Sequence, residues 1–513
     1  MIRSDAGDMT KIRAGYRAAQ QSRFSALRTG LGGTGDAHVA GGLDYGRVRE
    51  ISRDMIRNDM VIGQMLERAT DNIAKQAMPI PATGNPDINA VISQEWSDWA
   101  KNPALCDTTK MHTFQDQCWA VIHHLLMDGD VFALPTIEDD IPKIQLNEGD
   151  WVTSPLGGVR GDGIIHGVEI NDLGRPLRYW FSPPTLLQYE SVGIRTSGYG
   201  SHTPRAAFDS DGNPLVFHIR PKPKRISMHR GMPALTPVVE LAGQFDDLNF
   251  AKILQQQLSA CIGTFIERTM ANESDTELGP QETVTYGTST RVYEKLSPGA
   301  VVKGAPGEKL HMIGGSAATS DFMGHMRMLL RMIGANVGMP LCLALLDASE
   351  TNFHGYRGEI TEAREGFKAL QARLENYFCA PTYRFFVRWL AFQRGWRLLD
   401  SDLVRHRWSF TGWSYIKPLE DAQADAYQIE NLLGSPRDIL AERGLSWEDT
   451  VRETVEDQAS AIRQAILMAQ KISKETGEDI SWRDVLNRKV PQGTTFNTTK
   501  STSEIVQPED SGK

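Results

Sequence analysis

Cysteine is scarce in this 513-residue sequence, and Cys106, Cys118, Cys261, Cys342 and Cys379 form no C-x-x-C pair. An odd, scattered set of five gives neither a disulfide framework nor a zinc site, and reads as reduced cytosolic thiols. No run approaches the roughly 18 apolar residues needed to cross a bilayer. The opening Met-Ile-Arg-Ser-Asp-Ala-Gly-Asp lacks the apolar core of a secretory leader, so no membrane partner is expected. The phosphate loop G-x-x-x-x-G-K-[ST], the nucleophile elbow G-x-S-x-G and the zinc motif H-E-x-x-H are all missing. Gly30-Leu-Gly-Gly-Thr-Gly35 spells G-x-G-x-x-G, but no strand precedes it and no helix opens on it, so it reads as a flexible linker. No catalytic residue, metal or cofactor is expected. Basic charge is in deficit: 55 Lys and Arg against 64 Asp and Glu leave a formal charge of −9. Such a chain can handle DNA without gripping phosphates over its whole surface.

What is present is ordinary globular composition, 40 % hydrophobic and 23 % charged. The length calls for roughly two to four subdomains. Residues 1–43 carry a basic segment (Lys11, Arg13, Arg17, Arg23, Arg28) and read as a solvated amphipathic arm with a linker. Helical spacing of Val48, Ile51, Met55, Ile62, Met65, Ala69 and Ile73 predicts a helix over 44–76, with further helices at 88–101 and 114–126. Short apolar runs at 131–134, 167–170, 177–181 and 215–219, separated by Pro, Gly, Asn and Asp, predict β-hairpins. Asp209-Ser-Asp-Gly-Asn213 imitates a calcium loop but has Arg220 where the closing Glu belongs, and reads as a turn. Arg220-Pro-Lys-Pro-Lys-Arg225, followed by His229 and Arg230, reads as a basic surface loop. Helices follow at 233–267 and 321–337 around an irregular 268–318, then at about 419–433, 436–443 and 447–475. The polar tail from Lys489 reads as disordered.

The organising stretch is 339–395. An apolar loop, Gly338-Met-Pro-Leu-Cys-Leu-Ala-Leu-Leu-Asp347, leads to a long helix over Tyr356–Phe378. Its apolar positions Tyr356, Ile360, Ala363, Phe367, Leu370, Leu374 and Tyr377 are spaced 4, 3, 4, 3, 4, 3, a narrow seam. Gly358 and Gly366 each cost about 1 kcal/mol against Ala and mark a candidate bend. Pro381 is expected to stop the helix, and a second one, Tyr383–Phe392, runs up to Gly395. From pattern alone this is the core helix of a helical domain.

One group has the residue types of a hydrolase: His112, His123, His124, Asp128 and Asp130 are all possible metal ligands or acid–base groups. Adjacent histidines point in different directions on a helix, however, and Asp128-Gly-Asp130 reads as a turn.

Collinear segments over about 45–460 resemble the lambda family of phage portal proteins. They are Ser52-Arg-Asp-Met-Ile-Arg-Asn58; Trp99-Ala with Cys106-Asp107; Asp128-Gly-Asp-Val-Phe132; Gly167 to Pro176; Val216-Phe-His218; and Arg230-Gly-Met-Pro233. Gly334-Ala-Asn-Val-Gly-Met-Pro340 follows, then the Asp347 loop with Asn352 and Arg357, Pro418-Leu-Glu-Asp-Ala422 and Ala441-Glu-Arg-Gly444. The family often has a serine pair before the loop arginine. Here Phe353-His-Gly355 stands there, and no role for those serines carries over.

The resemblance implies an α+β, mainly α portal fold with wing, stem, clip and crown, assembling into a ring of about twelve subunits. By it, 44–232 is wing, 233–267 a stem helix, 268–318 clip and 319–338 the second stem helix. Residues 339–355 are the channel loop, 356–417 the long bent helix and wing/crown connection, 418–490 the crown and 491–513 a disordered tail. Asn352, His354 and Arg357 are the candidate DNA-channel residues. The implied role is a non-enzymatic channel at one capsid vertex of the virion, assembled in the host cytoplasm. It would pass double-stranded DNA without sequence preference, and its partners would be the terminase large subunit, head–tail adaptors, and major capsid and scaffold proteins. Twelve helices about 10 Å apart lie on a circle about 38 Å across and leave an opening of about 28 Å, wide enough for a duplex. Twelve charges of −9 discourage tight phosphate binding. The alternatives are a metal-dependent DNA-processing hydrolase and a minor capsid shell protein.

Overall fold

The computed structural model describes residues 45–155, 163–182, 202–266, 281–286, 289–294, 300–303, 320–349, 351–397, 399–414, 416–443, 445 and 447–486. The N-terminal arm, the tail and much of the expected clip lie outside the described residues. The chain divides into two compact units at Ala422/Gln423. Among the described residues no helix is long and apolar enough to cross a membrane.

The first unit opens with α1 (Tyr45–Asn58) and α2 (Met60–Ile73), where the apolar pattern predicted one helix. The break is at Asp59, whose carboxylate accepts from the N–H groups of Val61 and Ile62 and restarts the helix as an N-cap. β1 (Ala77–Pro81), α3 (Pro86–Lys101) and α4 (Phe114–Met127) follow. Asn85 caps α3 ahead of Pro86 in its first turn, and Thr113 with Asp116 forms a capping box on α4.

Two small antiparallel sheets form the β-rich region. β2 (Val131–Glu138) pairs with β3 (Ile141–Glu148) and β8 (Phe217–Ile219). The second sheet runs β4 (Ile164–Ile165), β5 (Val168–Ile170), β6 (Pro176–Phe181), β7 (Thr203–Ala206). Asp209 makes the expected turn, accepting from the N–H groups of Asp211 and Asn213.

A 3-10 turn over Thr236–Val238 leads into α5 (Val239–Cys261), shorter than the helix expected over 233–267 because the chain then becomes strand β9 (Ile262–Ile266). β10 (Gln281–Tyr286) pairs antiparallel with β11 (Ser289–Glu294), and β12 (Ala300–Lys303) runs parallel to β9. α6 (Ser320–Val337) returns beside α5. The Nδ2 of Asn336 donates to the Ala234 carbonyl, and the Lys252 ammonium lies 5.4 Å from the Phe322 ring centre, so the two helices are antiparallel.

The stretch that organised the sequence is α7 (Phe353–Leu374), a π-turn (Glu375–Cys379) and α8 (Ala380–Arg394). Helix runs through Gly358 and Gly366 without a break. Pro381 does not stop the helix. It sits in the first turn of α8, where the missing N–H costs nothing, and the irregularity is the π-turn just before it. Gly395, at φ +66°, ends α8. The seam residues Ile360, Ala363, Phe367 and Leu374 are buried in their own chain's core, whereas Tyr377 is exposed. The Gln371 amide donates to the Ile73 carbonyl, tying α7 to α2.

The core centres on rings. Trp96 lies 4.9 Å from Trp99, 5.1 Å from Phe114 and 5.2 Å from Phe386, and Phe114 stacks on Phe378 at 5.5 Å. Burying each such side chain contributes about 1.5–3 kcal/mol. Trp408 joins them from β13 (His406–Phe410), a strand absent from the sequence expectations that pairs with β1 across the chain.

The second unit holds most of α9 (Pro418–Glu430), then α10 (Pro436–Glu442) and α11 (Trp447–Thr476), matching the three helices expected there, and a short α12 (Trp482–Leu486) absent from the sequence expectations. Ala465 and Ala469 of α11 are buried.

Candidate functional site

Gly338, at φ +74°, turns the chain out of α6, and the buried Met339 donates its N–H to the Gly334 carbonyl. The apolar segment expected as a loop makes one helical turn, Leu341–Ala344, and then exposes Leu345 and Leu346 by 41 % and 69 %. Asp347 accepts from the Ser349 N–H. The Ser349 side chain, that backbone bond and the nearby Arg327 charge hold its carboxyl below the usual range.

The three candidate DNA-channel residues fall at the start of α7 with different work. Asn352 is the N-cap, its side-chain oxygen accepting from the Gly355 N–H at 2.7 Å. His354 is exposed and meets the Phe353 ring edge to face. Arg357 Nη2 donates to Asp421 Oδ1 at 2.8 Å, and the other Asp421 oxygen accepts from the Lys417 N–H. Sequence proximity thus brings Asn352, His354 and Arg357 into one segment, with a cap and an ion pair fixing its geometry.

Between α6 and the first turns of α7 lies a cleft of about 700 Å³, bordered by Arg327, Arg331, Cys342, Gly358, Glu362 and Gly366 among others. A Cβ on Gly358 or Gly366 would meet nothing within 4 Å. Burial and the adjacent Glu359 push the Cys342 thiol up to about 11, so it is no nucleophile at neutral pH.

The hydrolase-like residues do not gather into one site. Asp128 takes a bidentate contact from Arg53 (2.6 and 2.7 Å) and the Nδ1 of His124 at 2.8 Å. Asp130, fully buried, accepts from Arg230 Nε at 2.5 Å and Nη2 at 3.1 Å, from the Tyr45 hydroxyl at 3.2 Å and from the Gly231 N–H at 3.2 Å. Burial alone would raise its pKa, but the Arg230 charge, the His218 bond and the Arg49 charge hold it far below the usual carboxylate range. His123 stacks on Trp119, and burial pushes it down to about 4. His112 bonds to Asp107 instead. Arginines occupy the lone pairs that a metal would need.

Arg230 corrects the expectation of a surface loop. It is 1 % exposed and donates to the carbonyls of Val152, Gly149 and His166 as well as to Asp130. Lys222, Lys224 and Arg225 keep the expected exposure. The sequence signal lay in the paired glycines: a Cβ on Gly231 would come within 1.9 Å of the Gly129 carbonyl oxygen. Asp128 and Asp130, the arginines Arg53 and Arg230, and the glycines beside them thus form one packed joint linking α1, the end of α4, the start of β2 and the 3-10 turn at Gly149–Trp151. Its construction is structural.

Residues 26–371 match the family described as "Phage portal protein, lambda family". A curated relative, the "Probable portal protein" of Halomonas phage phiHAP-1, is 22 % identical over 500 residues, covering 86 % of each chain. Among solved structures, one from "Virion of native gene transfer agent (GTA) particle" is similar at 12 % identity and TM-score 0.39, covering 78 % of this chain and 93 % of its own. Another, from "Neck of native GTA particle computed with C12 symmetry", has 11 % identity and TM-score 0.40, with coverage of 78 % and 93 %.

Proposed function

The chain belongs to the lambda family of phage portal proteins, and from that premise we propose that its copies close into a ring forming the DNA channel at one capsid vertex. The observation that carries the ring is on the two long antiparallel helices. Phe250, Ile253 and Leu254 of α5 and Met323, Met328 and Met332 of α6 are 41–68 % exposed in the single chain. Ala242 and Phe245 of α5 and Met326, Leu329 and Ile333 of α6 are buried. Helical spacing puts Phe250 and Leu254 on a different side of α5 from the first pair, and Met328 and Met332 on a different side of α6 from the other three. Helices apolar on a second side call for a second covering surface, and a ring neighbour supplies it.

On this reading the segment from Met339 to Gly355 lies nearest the passing duplex. Exposed Leu345, Leu346 and His354 support that placement. Arg357 stands beside the segment, its charge balanced by Asp421. A separate terminase motor drives the DNA, and head–tail adaptors, capsid and scaffold proteins dock around the ring. Double-stranded DNA slides through without sequence recognition, which the acidic net charge favours.

Negative-stain images and mass photometry of the purified full chain test this. Closed rings with a central hole are expected. Persistent monomers, or closed shells in place of rings, would overturn it.

A further inference from the structure

The two outward helix sides differ in charge. On α5, Asp246 and Asp247 stand one turn before Phe250 and two before Leu254, and all four are exposed. Partial burial first, then the neighbouring charges of Asp59 and Asp247, hold Asp246 above the usual carboxylate range. On α6, Met323, Arg327, Arg331 and Ala335 recur every four residues and so share one stripe, with Met328 and Met332 alongside. One helix thus presents acids with apolar side chains, the other arginines with apolar side chains.

Their heights agree as well. Ala234 touches Asn336, and Lys252 lies over Phe322. Interpolating between these two contacts puts Asp246 and Asp247 level with Arg327, and Phe250 level with Met323. Neighbours in a closed ring are related by rotation without translation. With the α5–α6 pair along the ring axis, each helix therefore meets the next copy at its own height.

We propose that ring closure is charge-coded: the α5 side bearing Asp246, Asp247, Phe250 and Leu254 of one copy packs on the α6 side bearing Met323, Arg327 and Arg331 of the next. This deepens the ring reading and rests on it. Acid-to-base pairing of two different faces is heterologous, so it propagates in one direction around a ring and disfavours two-fold pairing of like faces. Glu359 and Glu362 of α7 border the cleft beside the same arginines. A guanidinium has five N–H donors and can serve carboxylates on both sides. The neighbour's Phe250 and Leu254 cover the methionines, giving the contact its apolar centre.

The test is a charge swap read by mass photometry and negative stain. One variant carries Asp246→Arg and Asp247→Arg, and the other Arg327→Glu and Arg331→Glu. Each alone confronts like charges and is expected to need at least roughly tenfold more protein to form rings. Mixed in equal amounts, they restore acid-to-base contacts at every interface of an alternating ring, so even-numbered rings return. A single chain with all four substitutions also reassembles, which controls for folding. Rings formed by either variant at wild-type concentrations would overturn the charge code and leave the ring reading standing. So would failure of both the mixture and the four-substitution chain, each melting like wild type. Wild-type protein that never closes into rings would overturn both.

Discussion

Two arginine–aspartate pairs in this molecule have similar shortest contacts and different consequences. Arg230 and Asp130 meet at 2.5 Å with side chains 1 % and 0 % exposed. Arg357 and Asp421 meet at 2.8 Å with 43 % and 17 % exposed. The first pair is surrounded by protein donors and acceptors and by rings: the Arg230 guanidinium lies 5.1 Å from the Phe132 ring centre and 5.2 Å from that of Tyr45. The second is wet on the arginine side. Distance alone therefore says little about what an ion pair does. Solvent decides whether loss of one partner strands a charge or merely returns it to water.

The largest effect that sharpens this contrast is Arg230→Met. It leaves Asp130 charged and buried, and the expected loss is about 3–5 kcal/mol of folding stability, read by chemical denaturation or as insoluble protein. A loss below about 1 kcal/mol would show that water reaches Asp130 and would dissolve the contrast.

Acid probes the same joint. Burial pushes His218 down to about 4, whereas its unfolded value is near 6.5. The unfolded chain therefore takes up the proton first, so this contribution is complete above about pH 6.5 and falls as pH drops toward 4. The fall is on the order of 3 kcal/mol. Asp130, depressed in the fold, adds loss of the same sign below about pH 4. His218→Gln is expected to flatten melting temperature against pH between 6.5 and 4, and an unchanged slope would assign the acid sensitivity elsewhere.

The smallest structural effect belongs to Arg357→Ala, with an expected stability cost of about 0–1 kcal/mol and unaltered ring assembly. Its readout is function: genome filling or retention in particles carrying the substitution is expected to fall. Normal filling would remove Arg357 from the channel assignment.

Much of the fold was legible in the sequence because it is local. The helices at 88–101 and 114–126 are legible in local apolar spacing, and Gly395 announces the end of α8 through groups within a few residues of itself. The strands at 131–138, 168–170 and 176–181 follow from short apolar runs between turn formers. What escaped is long-range. Asp59 interrupts a helical pattern that the apolar spacing alone would continue. β13 is a strand because β1 lies beside it, although more than 300 residues separate them. Arg230 resembled its basic neighbours in sequence, and only a carboxylate a hundred residues away buries it. In the candidate channel segment, the sequence located Asn352, His354 and Arg357 together but could not show Asn352 as a cap or Arg357 as Asp421's partner.

By itself, then, the sequence determined most of the helices, the short strands between 131 and 219, the acidic balance and the family pattern, all carried by spacing and composition. Tertiary structure alone decided which side of each element is covered. The seam Ile360–Ala363–Phe367–Leu374 is closed within the chain, whereas Phe250 and Met328 remain open. The physical reason is that periodicity reports an apolar face, and only packing reports whether the chain has already covered it.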